Sequence, residues 1–486
     1  MPPIWPARSR TRRSSVGSTS IPRFANLRHP ANTVASTKTI GRKTRLDRSE
    51  WRAGHRGAAL GQHIVILCSL DTKAREALYL KDRIQELGAE VTLVDVGYGR
   101  PASVEARIGA SDVAAAAGTD IESIRALHDT GAASQLMMHG AIIKVQELLH
   151  RGQCDGVISF GGASNTMLAT GVMKTLPIGL PKLMISSSAA MPAYAAEYFG
   201  SKDITMMHAV VDLSRLNDLT RSLLELGAGG ICGMAAARHR SADAVVDTKF
   251  VAVTSFRFSE ACSQAVMREL EQLGYSPIPF HAQGVGENAM EDLIAEGRFL
   301  GVVDVVPAGL SEQMLGGNRA ARPDRLEAAG RAGVPQVIAP SGFDMISCGP
   351  ISRRDAGDPL WETRALADRQ YSVPDRYRVE ARTTSDEVAD IAGTVAEKLN
   401  RHQTSACVMV PLQGWSSLSV EGADLYAPDA DAVFAPALRE ALERDVPVVE
   451  VPVELNSDRF ARALVEALHA MIEATVGEGT TAGVVS

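Results

Sequence analysis

Apolar and polar positions along the chain follow a pattern typical of repeated strand–helix–strand units. An apolar run at 63–70 predicts a buried strand, helical spacing at 73–88 predicts a helix that ends at a glycine, and 90–97 predicts a second strand. Such a βαβ opening indicates a parallel sheet with helices on its faces. Further strands are predicted at 155–160 and 178–186, with helices over most of 102–150, at 164–175 and up to about 237.

The same pattern begins again after a polar segment at 237–248, which we interpret as a linker. The strand and helix that start the second part align with the first without a gap, Ser69 on Ser255 and Gly88 on Gly274. This repetition predicts an internal duplication, although any two strand–helix–strand units share some likeness. The second part is predicted to end with strands at 406–412 and 446–452, helices at 430–443 and 456–474, and a long loop at 351–376.

These patterns predict an α/β fold with two Rossmann-like, doubly wound halves and a ligand cleft at the carboxyl ends of the strands. The predicted domains are a disordered basic N-terminal extension at 1–60, a nucleotide-binding domain at 61–240, a second α/β domain at 249–476 and a flexible tail at 477–486.

Charge is distributed unevenly between the N-terminal extension and the remaining chain. Residues 1–57 carry a net charge of +11, and since the whole chain carries −7, residues 58–486 carry −18. The extension is interpreted as a solvated or start-site segment, with a presequence or a nucleic-acid arm as alternatives. The acidic body argues against broad nucleic-acid binding. Six cysteines without metal-binding spacing and no long apolar run favour a reduced, cytoplasmic protein outside the membrane.

Short polar turns follow the first four predicted strands, at 69–73, 94–99, 159–166 and 185–191. Because the carboxyl ends of parallel strands meet at one edge, we expect these turns to lie side by side. Glycines and free amides at a helix start suit a phosphate, whereas Ser164 or Thr166 could simply cap that helix. Lys73 could neutralise a phosphate. Asp71 could help to hold Mg²⁺, or Asp71 and Thr72 could simply cap the first helix. Tyr98 could offer an aromatic face to a base, or it could be an ordinary half-exposed tyrosine in a loop.

A rival phosphate loop stands in the second half, where Gly284 and Gly286 lie between a strand and a helix. His281 follows the same strand, and Asp304 and Asp344 end later strands, so the three residues are candidates for an acid/base group. For His281 a purely structural role is the favoured interpretation.

Four stretches, SLDTKAREALYLKD, GGASNTMLATGVMKTLPIGLPK, GSKDITMMHAVVDL and HAQGVGENAMEDLI, resemble the ATP-binding domain family of the tomato protein that inhibits tomato mosaic virus replication. The resemblance covers about residues 62–475. It implies ATP and Mg²⁺ in the first half, and it implies that nucleotide-binding positions fall on the following residues: Asp71, Thr72, Lys73, Tyr98, His139, Gly161, Gly162, Ala163, Ser164, Asn165 and Thr166.

This sequence departs from the family pattern at the glycine-rich turn and in the preceding helix. Ser164 and Asn165 add side chains where the family has glycines, so we expect phosphates to lie farther from the turn, and His139 stands where the family often has arginine. The expected function is ATP-dependent group transfer to a small anionic metabolite by a homo-oligomer. The alternative is a nucleotide-dependent module that binds a protein partner without turnover.

Overall fold

The computed structural model describes residues 61–242 and 249–481 of the 486-residue chain. In these ranges the chain forms two parallel sheets, each covered by helices, so the predicted fold class is confirmed. The predicted basic extension at 1–60 lies outside the described residues. No helix in the two ranges has the length and hydropathy needed to cross a membrane.

The first half contains five strands and seven helices, with three helices between β2 and β3 and one helix after each other strand. Their bounds are β1 His63–Cys68, α1 Leu70–Glu86, β2 Glu90–Asp95, α2 Ala110–Ala116, α3 Ile121–Arg125, α4 Thr130–His150, β3 Gly156–Gly161, α5 Ala163–Lys174, β4 Lys182–Ser186, α6 Pro192–Phe199, β5 Thr205–His208 and α7 Asp218–Ala242.

The second half contains a six-stranded parallel sheet, its helices and a small inserted sheet. Their bounds are β6 Phe250–Ser255, α8 Glu260–Gln272, β7 Ser276–His281, α9 Val285–Ala295, β8 Gly301–Asp304, α10 Ala308–Leu315, α11 Ala328–Ala332, β9 Gln336–Ile338, β10 Met345–Ser347, α12 Ser352–Asp355, α13 Pro359–Thr363, β11 Tyr371–Asp375, β12 Arg378–Arg382, α14 Ser385–Asn400, β13 Ala406–Pro411, α15 Pro428–Asp431, α16 Phe434–Ala441, β14 Val448–Val451 and α17 Asp458–Thr481.

The two parallel sheets have the same topology. The first has the order β2-β1-β3-β4-β5, and the second has β7-β6-β8-β9-β13-β14, which is the same order with one strand added. The first helix of each half also ends in the same way, at Gly88 with φ +87° and Gly274 with φ +77°. Only glycine adopts this left-handed conformation without a steric penalty. The shared order and the shared helix stop support the predicted duplication.

Three predicted segments differ from the structure. Helix α7 continues through Ala242, so the first part of the proposed linker at 237–248 is helical, while 243–248 lie outside the described residues. The predicted loop at 351–376 contains the short helices α12 and α13 and all of strand β11, which joins β10 and β12 in an antiparallel sheet. In the same way, α17 extends to Thr481, past the start of the predicted tail at 477.

The inserted antiparallel sheet contacts the second half through buried charges. Glu380 on β12 is 1% exposed and accepts a hydrogen bond from Arg319 Nη2 at 3.0 Å, while Arg319 Nε donates to Glu312 at 2.9 Å. Two residues along β12, Arg382 pairs with Asp431. Burial raises the pKa of Glu380 to about 7 and the pKa of Asp431 to about 7, and in each case the paired arginine opposes the rise. One side of β12, which carries Glu380 and Arg382, is therefore buried through ion pairs, whereas Val379 and Ala381 on its other side pack in the apolar core.

Candidate functional site

The edge where the first four strands end contains the point at which the sheet topology reverses. Strand β1 pairs with β2 on one side and with β3 on the other, so the chain leaves these strands in opposite directions. In open α/β sheets, ligands bind in the crevice that this reversal creates. The turns after β1 and β3 meet there, because Ser69 Oγ donates to Asn165 Oδ1 at 3.3 Å. The predicted convergence of these two turns is present in the fold.

The turn after β3 is fixed from inside by two of its own side chains. Asn165 Nδ2 donates to Phe160 O at 2.7 Å and to Ser159 Oγ at 3.1 Å, and Asn165 is only 8% exposed. Thr166 is fully buried and donates to Gly162 O at 2.9 Å. The expectation that the Asn165 side chain adds bulk to the ligand-facing surface is therefore wrong, since this side chain points into the protein.

Helix α5 begins at this turn without a side-chain cap. Its N-cap is Gly162, whose conformation is extended, and neither Ser164 nor Thr166 caps the helix as one sequence interpretation proposed. The first-turn amides of an α-helix have no partner within the helix. Gly162 and Ala163 are half-buried and Ser164 is exposed, so these amides lie at the surface of the crevice. A helix start of this kind attracts anions through its free amides and its dipole.

Asp71, in the turn after β1, has a hydrogen-bond partner on only one of its two carboxylate oxygens. Asp71 Oδ2 accepts a hydrogen bond from Gly99 N at 2.9 Å, whereas Asp71 Oδ1 is shielded from solvent and has no hydrogen-bond partner. Arg100 Nε also donates to the main-chain oxygen of Asp71 at 2.7 Å. A side chain at Gly97 would place its Cβ 2.7 Å from Asp71 Oδ1, so a glycine is required for this close approach.

Sequence reasoning missed a second carboxylate beside Asp71. Asp95, the last residue of β2, is 3% exposed, and its Oδ1 accepts hydrogen bonds from Leu70 N at 3.0 Å and Gly97 N at 2.9 Å. Burial raises the pKa of Asp95, and the charge of Asp71 adds to the rise. The sequence signal that could have identified Asp95 is an aspartate at the end of a predicted strand, followed closely by Gly97 and Gly99. In the described ranges no three His, Cys, Asp or Glu residues group as a metal site, so protein carboxylates alone do not complete one.

The other predicted binding residues have different surroundings. Thr72 is exposed and Tyr98 is half-buried, with its hydroxyl donating to Thr130 O at 3.3 Å. Lys73 Nζ donates to Leu213 O at 3.1 Å, so its charge is already engaged by another segment. His139 is exposed near the middle of α4.

The equivalent crevice of the second half is filled by the protein itself. The turn after β8, at 305–308, is entirely buried, unlike the turn after β3. Phe256, which follows β6, is 4% exposed and is covered by the Arg319 guanidinium, 4.4 Å from the ring centre. Asp304 at the end of β8 pairs with Arg325 at 2.6 Å and accepts from Thr254 at 2.9 Å.

The rival phosphate loop has a packing role in this structure. A Cβ at Gly284 would lie 2.5 Å from Ala320 O, and one at Gly286 would lie 2.2 Å from His281 O, so both glycines allow close main-chain contacts. The start of α9 is also occupied, because Glu287 accepts from Gly284 N at 3.0 Å.

The three candidates for an acid/base group do not share an accessible surface. Asp304 is 1% exposed and Asp344 is fully buried, where it accepts hydrogen bonds from Gly342 N at 3.0 Å and Ser416 Oγ at 2.7 Å. His281 is exposed and lies edge-on to Phe256, with 6.3 Å between the ring centres. A substrate could reach neither carboxylate without a rearrangement of the protein.

Polar contacts join the two halves at the segment after α6. Ser201 Oγ donates to Asp292 Oδ2 at 2.6 Å, and Lys202 Nζ lies 3.7 Å from Asp292 and 3.4 Å from Glu296. Asp292 is also paired with Arg322 at 2.7 Å. Ser201 and Lys202, in the G-S-K-D sequence at 200–203, are therefore part of the contact between the halves.

The fold defines the described part of the chain as a two-domain, doubly wound α/β protein. Two family models match the same two parts of the chain. Residues 62–240 match the N-terminal domain, and residues 248–472 the C-terminal domain, of the uncharacterised protein family UPF0261. The chain belongs to the UPF0261 family.

Relatives in bacteria and in tomato share this sequence over most of its length. A UPF0261 protein of Clostridium tetani is 33% identical over 415 residues, covering 85% of this chain and 100% of the relative. A UPF0261 protein of Brucella suis is 30% identical over 420 residues, covering 86% and 96%. The ToMV resistance protein Tm-1(GCR237) of Solanum lycopersicum is 32% identical over 316 residues, covering 64% of this chain and 41% of the tomato protein. The resemblance to the family of the tomato protein is therefore confirmed.

Solved structures add no functional argument. A UDP-GlcNAc 2-epimerase of Methanocaldococcus jannaschii, in complex with UDP-GlcNAc and UDP, aligns over 57% of this chain and 83% of its own, with 9% identity and a TM-score of 0.20. A similarity at this level supports no inference about the ligand of the present chain.

Proposed function

We propose that the first half binds Mg²⁺-ATP in the crevice between the turns after β1 and β3. The observation that carries this proposal is that the uncapped start of α5 lies at the reversal point of the sheet, joined to the turn after β1 by the Ser69–Asn165 hydrogen bond. Free first-turn amides at such a point favour phosphate. The equivalent crevice of the second half, after β6 and β8, is filled by protein side chains. The proposal therefore assigns the nucleotide to the first half alone.

The roles of the binding residues follow from their positions. The first-turn amides of Ala163 and Ser164 would donate to phosphate oxygens, and the half-buried ring of Tyr98 would contact the base. Mg²⁺ would bind beside Asp71, whose Oδ1 lacks a hydrogen-bond partner. Mg²⁺ commonly takes one or two carboxylates and completes its shell with phosphate oxygens and water. The ion would neutralise phosphate charge next to an already acidic turn.

In the same proposal the bound ATP transfers a group to a small anionic metabolite. Phosphoryl transfer depends mainly on positioning and charge neutralisation, which amides, a lysine and a metal ion supply. A second candidate is a nucleotide-dependent binding module without turnover. The burial of Asp304 and Asp344 favours this second candidate, since it removes two candidates for an acid/base group.

A single exposed position tests the site without disturbing the fold. Ser164→Asp places a carboxylate in the first turn of α5, where it stabilises the helix dipole but repels a phosphate. We expect Mg²⁺-ATP affinity, measured by titration calorimetry on the full chain, to fall at least tenfold while the melting temperature holds or rises. Ser164→Asn, which has nearly the same shape and no charge, is the matched control and should retain parental affinity. Equal affinity of the Asp and Asn variants would reject the proposed site.

Turnover distinguishes the two candidate functions. The parent chain is incubated with Mg²⁺-ATP and a panel of small carboxylates and sugar acids, and the release of ADP or AMP is measured. Metabolite-dependent release supports group transfer. Saturable ATP binding without release on any panel member supports the binding module.

A further inference from the structure

A short exposed arch, residues 209–213, lies against the turn that follows β1. Its two ends are anchored: Ala209 N donates to Ser186 O at 3.0 Å, and Leu213 is fully buried in the core. Between the ends, Val210 is 78% exposed and the Asp212 side chain is 73% exposed. The arch is thus held at both ends and open to solvent in the middle.

The arch is strained at its most exposed position. Val210 has φ +64°, which is the left-handed region that a β-branched residue almost never adopts. Val211 N also folds back on Ala209 O at 2.7 Å, which makes the turn tight. Strain of this kind persists only where neighbouring contacts impose it, and it lowers the free energy needed to leave the observed conformation.

The arch engages the cation of the turn after β1. Lys73 Nζ donates to Leu213 O at 3.1 Å and lies 3.9 Å from the Asp212 carboxylate, and the Lys73 side chain is 13% exposed. Lys73 itself departs from helical geometry inside α1, with φ −131° and ψ 29°. The ammonium group that would neutralise a phosphate is therefore turned toward the arch.

We infer that residues 209–213 form an internal lid, in which the Asp212 carboxylate and the Leu213 carbonyl occupy Lys73 until an anionic ligand competes for it. This inference rests on the proposed nucleotide site. A phosphate and Asp212 compete for the same ammonium group and repel each other, so binding and displacement of the lid are coupled. The strained Val210 makes the displacement less costly.

The test measures Mg²⁺-ATP affinity of the full chain by titration calorimetry in the parent and in four variants. These are Asp212→Asn, Lys73→Gln, the double variant that combines the two, and Asp82→Asn. Asp212→Asn removes the competing charge while keeping the side-chain shape, and we expect about fivefold tighter binding, a modest gain because the pair is partly screened by solvent. The gain should disappear when Lys73→Gln is already present. Asp82→Asn, an exposed carboxylate on the same helix, is the matched control and should leave the affinity at the parental value.

A second measurement uses the parent chain and does not depend on any variant folding. Amide hydrogen exchange in residues 209–213 should become faster when Mg²⁺-ATP binds, whereas exchange in the first turn of α5 should become slower. Parental binding with no effect of Asp212→Asn and no change in exchange of the arch would overturn the lid and leave the nucleotide site intact. A gain that survives Lys73→Gln would also overturn the lid. Absence of ATP binding in the parent and all variants would overturn both proposals.

Discussion

The buried carboxylate Glu380 should make the second half less stable as the pH rises from 5 to 8. Burial raises the pKa of Glu380 from 4.5 to about 7, with Glu312 and Asp344 adding to the rise and Arg319 opposing it. A group whose pKa is raised on folding binds its proton more tightly in the folded state. Its contribution is therefore complete below the unfolded pKa near 4.5 and is lost as the pH rises through about 7.

The size of the effect follows from the two pKa values. At 1.36 kcal/mol per pH unit, a rise from 4.5 to about 7 corresponds to about 3 kcal/mol of unfolding free energy. Glu380→Gln keeps an acceptor for Arg319 but cannot ionise. The variant should therefore lose less stability than the parent between pH 5 and pH 8, by up to about 3 kcal/mol.

Urea unfolding followed by tryptophan fluorescence is a suitable assay. Trp361 and Trp415 are both buried in the core of the second half, so they report on the domain that contains Glu380. The measured quantity is the change in unfolding free energy between the two pH values, compared between parent and variant. Glu421→Gln, at an exposed glutamate of the same half, is the control and should follow the parent. A pH dependence of Glu380→Gln within about 0.5 kcal/mol of the parental one would refute the reasoning.

Three further predictions concern residues at the candidate site and in the filled crevice of the second half. Gly97→Ala should weaken Mg²⁺-ATP binding in calorimetric titrations at least tenfold, because its Cβ would lie 2.7 Å from Asp71 Oδ1; unchanged affinity would exclude Asp71 from the site. Asn165→Ala should lower the unfolding free energy by about 2–3 kcal/mol in urea titrations, since it leaves buried partners unpaired; Ser164→Ala, at an exposed position, is its control. Arg325→Met should lower the unfolding free energy by about 3–5 kcal/mol, because Arg325 pairs with three buried carboxylates; an unchanged melting temperature would contradict this role of Arg325.

The pattern of apolar residues was sufficient to predict the strands and helices whose buried faces are apolar. Strand β1 is buried at every position because it lies between β2 and β3, and its continuous apolar run is visible in the sequence. The meeting of the turns after β1 and β3 followed from the rule that parallel strands end at the same edge.

The pattern gave no prediction for strand β12, whose sequence is Arg-Val-Glu-Ala-Arg. Its charged residues Glu380 and Arg382 are both buried because each pairs with an oppositely charged residue far along the chain. The inward direction of the Asn165 side chain was also not predicted: its amide nitrogen donates to Phe160 and Ser159 at the end of β3, and its oxygen accepts from Ser69, 96 positions away. Long-range pairings such as those of Glu380 and Arg382 are set by tertiary contacts, which local sequence does not encode.

The two halves share one topology but differ at one position, the turn after the third strand of the shared order, β3 in the first half and β8 in the second. Where the turn after β3 leaves a helix start at the surface, the turn after β8 is buried and its strand ends in the Asp304–Arg325 ion pair. Under the proposed function, substitutions at the exposed helix start would change ligand recognition without touching the ion pairs that hold the second half. Such a chain would exchange one ligand for another without first losing its architecture.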